Sequence, residues 1–138
     1  LQADRAGEMA IIQSVLDALP QLNRRDPIME LYAGCGTLTG PLSDRGRVIA
    51  YEGHKESLSA LRSAIKGARI EAQVRDLVRQ PLLAKETERA RVVVLDPPYG
   101  GAGPQMSELG RSGVKDIVYV RCNPKAWQKD TKLLAQAG

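Results

Sequence analysis

Apolar residues recur along this chain in two distinct registers. Met9, Ile12, Val15, Leu16 and Leu19 fall three or four apart and predict an amphipathic helix over 5–19, with Asp4 as its N-cap and Pro20 beyond its last turn. Short apolar runs then alternate with stretches of helical spacing. PIMELY (27–32), RVIAY (47–51), RIEAQV (69–74), RVVVLD (91–96) and DIVYV (116–120) predict five strands. The last two lack polar alternation, the pattern of strands buried on both faces of a parallel sheet. Leu58, Leu61 and Ile65 predict a helix over 54–66 closed by Gly67, and a weaker helix is expected around 82–90. Asn123 and Pro124 supply an N-cap and a first-turn proline for a last helix over 124–136. Strands alternating with helices at this spacing predict an α/β domain with a mostly parallel sheet and helices on both faces.

Composition narrows the class without changing it. The 138 residues are 43% apolar and 26% charged, the balance of one globular domain. No apolar run approaches the ~20 residues of a membrane span. No secretory signal is apparent at the N-terminus, where Asp4, Arg5 and Glu8 fall in a helical pattern. The two cysteines, Cys35 and Cys122, form no Cys-x-x-Cys pair, so neither zinc nor a disulfide framework is expected, and a cytoplasmic location fits. A net charge of +4 is compatible with nucleic acid but does not select it. Leu1 is not Met and Gly138 directly follows a helical pattern, so residues 1–138 are expected to be one domain of a longer protein.

The chemistry gathers at strand ends, the edge where open α/β sheets bind ligands. Tyr32, Tyr51 and Tyr119 stand at or near such ends and Tyr99 just past another, although tyrosines also simply suit strands. In ELYAGCGTLTG (30–40), Gly34 and Gly36 follow the first strand, where glycines let the backbone turn tightly and approach a ligand. The third glycine of a dinucleotide fingerprint is replaced by Thr39, which argues against NAD and for another adenosine-containing ligand. Glu52 ends the second strand, where an acid can accept hydrogen bonds from ribose hydroxyls. Asp76 follows the third, in reach of an adenine edge. Glycines, acid and Asp at successive strand ends resemble a class I S-adenosylmethionine-dependent methyltransferase. The implied architecture is a Rossmann-like sheet truncated after its fifth strand.

Two further motifs point to the reaction. Asp96-Pro97-Pro98-Tyr99 closes the fourth strand and is similar to the motif of methyltransferases acting on exocyclic amino groups of bases. Cys122 ends the fifth, directly before Asn123-Pro124 and a helix start, where the positive end of the helix dipole favours a thiolate. RCNPKAWQKD (121–130), with ELYAGCGTLTGPL and Asp-Pro-Pro, resembles the RNA uracil-5-methyltransferases, which form 5-methyluridine in tRNA and ribosomal RNA. That resemblance implies cofactor contacts from Gln2, Tyr32, Thr37, Glu52, Asp76 and Asp96, and makes Cys122 the nucleophile that adds to carbon 6 of the base. It also implies S-adenosylmethionine as cofactor, an RNA substrate (tRNA or rRNA), and no metal. The sequence departs from the family at Tyr99 (usually Arg) and Arg121 (usually Ser), and Asp130 alone survives of an Arg-Asp pair. The family's general base, a Glu near its C-terminus, has no counterpart here; it is expected beyond Gly138, and the isolated chain is expected not to turn over RNA. Two readings stay open beside this one: an amino-methyltransferase on adenine or guanine using Asp-Pro-Pro-Tyr, and a non-enzymatic nucleotide- or RNA-binding module.

Overall fold

Five strands lie side by side and all run the same way. The computed structural model describes residues 5–65, 69–120 and 123–137. The elements are, in chain order, α1 (Arg5–Ala18), β1 (Pro27–Leu31), α2 (Thr39–Ser43), β2 (Arg47–Glu52), α3 (Lys55–Ala64), β3 (Ile70–Val74), α4 (Ala84–Thr87), β4 (Val92–Leu95), α5 (Pro104–Ser112), β5 (Ile117–Tyr119) and α6 (Pro124–Ala137). The strand order is β3-β2-β1-β4-β5, with every neighbouring pair parallel. Leu31 lies opposite both Tyr51 and Leu95, and Leu95 opposite Tyr119, so the C-terminal ends of the four strands line up along one edge.

Strand periodicity builds two cores. Met29, Leu31, Ile49, Tyr51, Val93 and Leu95 point to one face, against Leu82 and the α5 residues Met106 and Leu109, with Leu133 and Leu134 of α6 packed beside them. Ile28, Val48, Ala50, Val92 and Val94 point to the other, against Val15 of α1, Leu42 of α2 and Leu58 and Leu61 of α3. β1 and β4 are therefore covered on both sides, which is why their sequences run apolar without alternation. β3 is an edge strand, only half-buried at best.

The five strands stand where the hydrophobic pattern predicts them, within a residue or two at each end. Two helices have no counterpart in that pattern. α2 is a single turn after the glycine loop, and α5 is a short helix, opened by Pro104 and interrupted by Gly110, with few apolar positions to give it a period. The helix expected at 82–90 shrinks to the four residues of α4. Asp4, Gln2, Gly67, Arg121 and Cys122 lie outside the described residues. None of the described helices is long and apolar enough to cross a membrane.

Candidate functional site

The strand order reverses between β1 and β4, and the crevice there is where parallel sheets hold ligands. A cleft of about 420 Å³ opens at this edge, lined by Tyr32, Glu52, Gly53, His54, Arg75, Asp76, Leu77, Val78, Asp96 and Pro98. Four residues singled out from the sequence (Tyr32, Glu52, Asp76 and Asp96) thus converge on one space from the ends of four strands. A slightly larger groove, about 480 Å³, runs between α3 and β3 but carries none of these acids.

Of the glycine loop, Tyr32 lines the cleft, while Gly34, Gly36 and Thr37 are not among its lining residues. After β1 the backbone turns left-handed at Tyr32 (φ 61°), Gly34 (φ 61°) and Gly36 (φ 99°). A Cβ at Gly36 would stand 2.6 Å from Leu61 Cδ1, so only glycine lets this loop close on α3. A bulky residue with positive φ is unusual, and Tyr32 carries a second strain: its hydroxyl is buried without a hydrogen-bond partner among the described residues. Burial, with the Asp130 carboxylate adding to it, pushes that phenol well above its ordinary range. Thr37 is exposed beside the loop, with its Oγ1 3.9 Å from Cys35 Sγ.

Glu52 braces the glycine loop from the end of the neighbouring strand β2. Its Oε1 accepts the Gly34 N–H (2.9 Å) and its Oε2 the His54 N–H (2.7 Å). Both bonds leave lone pairs free for further donors. His54 is exposed and stands at the N-cap of α3, in keeping with a surface role. Asp76 Oδ1 accepts the N–H groups of Val78 (3.1 Å) and Arg79 (3.2 Å), which curls the loop after β3 around the cleft. Asp96 opens to the cleft mouth, while the protein packed behind it desolvates its carboxyl and raises its pKa.

Contacts between residues distant in sequence hold these walls. Arg75 donates to both carboxylate oxygens of Glu86 (3.0 and 3.1 Å) and to the carbonyls of Gln80 and Pro81, pinning the loop that carries Asp76. The buried Gln105 amide pairs with both backbone groups of Leu82, at 2.8 and 2.9 Å. Asp130 is 2% exposed; its carboxylate accepts the N–H of Ala102 (2.7 Å), the N–H of Gly103 (3.1 Å) and the Tyr119 hydroxyl (2.6 Å). It joins α6, the end of β5 and the loop after Asp-Pro-Pro. A signal for it existed: Ala126, Asp130, Leu133 and Leu134 share one helical face, which makes an acid there conspicuous. Asn123 caps α6 through the Lys125 N–H (3.1 Å) and donates its Nδ2 to the Tyr99 carbonyl (2.8 Å). The residue that follows Cys122 in the chain is therefore tied to the Asp-Pro-Pro-Tyr loop. Among the described residues no group of three or more His, Cys, Asp or Glu side chains is placed to hold a metal ion.

Known proteins resemble this chain in sequence and in fold. No family model matches the chain. It is 39% identical over its whole length to an RNA methyltransferase of Caulobacter vibrioides, of which it covers 34%, and 38% identical over 99% of its length to one of Rhizobium meliloti, of which it covers 33%. Both relatives are named as uncharacterized RNA methyltransferases. Among solved structures it is similar to the Pyrococcus abyssi tRNA (uracil-54, C5)-methyltransferase in complex with S-adenosyl-L-homocysteine. The TM-score is 0.78 at 23% identity, over 96% of this chain and 33% of that one, a likeness of fold. The chain spans about a third of the length of each of these proteins. Through its whole length, then, the chain is similar in sequence to proteins named as RNA methyltransferases, and its fold is that of a class I methyltransferase.

Proposed function

We propose that this chain carries the S-adenosylmethionine site and the thiol nucleophile of an enzyme that methylates carbon 5 of a uridine in RNA. The observation that carries the reading is the convergence of Tyr32, Glu52, Asp76 and Asp96 on the crevice between β1 and β4, with Asn123 tying the start of α6 to the same loops. The residues fit such a cofactor. Glu52 lines the cleft and keeps acceptor capacity for ribose hydroxyls beyond its bonds to Gly34 and His54. When bound, the cofactor supplies an electrophilic sulfonium methyl.

The chain's own task is to make carbon 5 of uracil nucleophilic. Cys122, as thiolate, adds to carbon 6 and leaves an enolate whose electron density lies at carbon 5. After methylation a base removes the carbon-5 proton and the thiolate departs, restoring the double bond. The start of α6 favours the thiolate through its dipole. The target base has to leave its stack to reach such a site.

Two results are expected. Glu52→Ala weakens S-adenosylhomocysteine binding about tenfold or more in a calorimetric titration, because a charged acceptor worth roughly 1.5–3 kcal/mol is removed; unchanged affinity would remove Glu52 from the site. In the protein carrying this chain, RNA with 5-fluorouridine at the target position traps a covalent adduct in wild type and Cys35→Ala, and none in Cys122→Ala. Labelled methyl on an exocyclic nitrogen, undiminished in Cys122→Ala, would instead support the amino-methyltransferase reading, which the exposed Tyr99 beside Asp96 favours.

A further inference from the structure

We propose that Tyr99 and the lysines of α6 form a surface for single-stranded RNA, the ring stacking on a base and Lys125, Lys129 and Lys132 taking backbone phosphates. The proposal rests on the reading of the chain as part of an RNA methyltransferase, and adds which surface meets the nucleic acid.

The first observation concerns the aromatic rings, of which the chain has only five, four Tyr and one Trp. Tyr51 is buried, Tyr32 and Tyr119 pack against the core, and Trp127 meets Tyr119 edge to face at 4.9 Å. Tyr99 alone stands out in solvent, 73% exposed. Its backbone is nevertheless fixed. Pro97 and Pro98 precede it, the Gly101 N–H closes a turn on the Pro98 carbonyl (2.8 Å), and Asn123 holds its own carbonyl. An apolar ring displayed on a held backbone loses little entropy when a base stacks on it, and such stacking tolerates any base.

The second observation is charge. Lys125, Lys129 and Lys132 are spaced four and three apart, so they form one stripe, and all three are exposed. None is in an ion pair among the described residues, whereas Arg75, Arg79, Arg91 and Arg111 each have an acidic partner. The only acid of α6 is Asp130, buried and committed to Ala102, Gly103 and Tyr119. The stripe is thus a run of uncompensated positive charge, roughly 10 Å long at 1.5 Å per residue. It starts two residues after Asn123, which bonds to Tyr99. The Asn123 bond thus sets the exposed ring near the start of the charged helix, one residue after Pro98 of the cleft wall, and a polyanion with unstacked bases is the chemical complement of the two.

The test is fluorescence anisotropy of this chain with a labelled single-stranded RNA of about a dozen nucleotides, measured across a series of salt concentrations. Lys125→Gln/Lys129→Gln/Lys132→Gln is expected to lower the slope of log K against log salt by about 2, at roughly 0.7 for each phosphate that is no longer neutralised. Tyr99→Ala is expected to weaken binding about tenfold with an unchanged slope, and Tyr99→Phe to retain wild-type affinity. Arg24→Gln/Arg25→Gln, which removes two charges beside the opposite end of β1, serves as the control and is expected to change neither. The proposal is overturned if wild type does not bind, if the triple variant keeps the wild-type slope, or if the Arg24/Arg25 control weakens binding as much as the lysine variant does. The anisotropy reads affinity alone, with no cofactor and no methyl transfer, whereas the 5-fluorouridine adduct reads the thiol chemistry, so a failure of the carbon-5 reaction and a failure of this surface give different results.

Discussion

Asp130→Ala is expected to destabilise the fold by roughly 3–5 kcal/mol, a large share of the ~5–15 kcal/mol that holds a typical domain. The side chain is 2% exposed and its two oxygens serve three donors: Ala102 N–H, Gly103 N–H and the Tyr119 hydroxyl. Removing the acceptor takes this partner from the Ala102 and Gly103 N–H groups and from the Tyr119 hydroxyl, and each bond to an ionised partner is worth about 1.5–3 kcal/mol, less than additively. Tyr119 lies against Trp127, the single tryptophan, so fluorescence during urea unfolding reads the affected region directly. Asp130→Asn, which keeps an acceptor but not the charge, should fall between the two. Asp17→Ala, at an exposed acid on α1 that accepts from the Gln13 amide, is the surface control, expected within about 0.5 kcal/mol of wild type. A loss below about 1 kcal/mol for Asp130→Ala would mean that water replaces the carboxylate at little cost.

Glu30→Gln is expected to stabilise the chain at pH 8 and to change little at pH 4.5. Glu30 is 2% exposed beneath the glycine loop, where its Oε1 accepts the Thr39 hydroxyl. Burial pushes its pKa to about 7 from the ordinary 4.5; the Thr39 bond works against that, and the charges of Asp96 and Glu52 add to it. A folded-state pKa above the unfolded one means that the native state binds more protons between those two values. Stability therefore falls as pH rises through that window, by at most about 1.4 kcal/mol per pH unit, on the order of 3 kcal/mol in all. Glutamine has nothing to ionise, so the gap between variant and wild type should open between about pH 4.5 and 7 and then stay constant. Urea midpoints at four pH values decide it; a gap independent of pH would show that Glu30 does not titrate in this range.

The sheet was legible because its strands are: β1 and β4 announce burial on both faces through Ile28–Leu31 and Val92–Leu95, with Glu30 the lone polar exception in those runs. The convergence of Tyr32, Glu52, Asp76 and Asp96 followed from their place at strand ends, since parallel strands bring those ends to one edge. What was not legible is everything that depends on partners distant in sequence. Asp130 meets residues 27 and 28 positions away, Asn123 one 24 away and Gln105 one 23 away. No local spacing encodes such pairings. α5 escaped for the opposite reason: Pro104 and Gly113 do mark its start and end, but the helix is short, Gly110 weakens its interior, and Met106 and Leu109 gain their burial from the assembled sheet. Glu52 was read as a ligand acceptor, whereas the structure also makes it a brace for Gly34 and His54.

The strand order carries a consequence for the newborn chain. β1 leaves the ribosome first and ends at the centre of the sheet, with β2 on one flank and β4 on the other. Because every neighbouring pair is parallel, no hairpin can shelter it early; each partner arrives only after a crossover. Its second flank stays open until Val92–Leu95 has been synthesised, more than 60 residues after Leu31, or several seconds at about 5–20 residues per second. During that interval Ile28, Met29 and Leu31 present an unpaired apolar edge. Protection of nascent chains from premature association is therefore needed most between the emergence of β1 and that of β4.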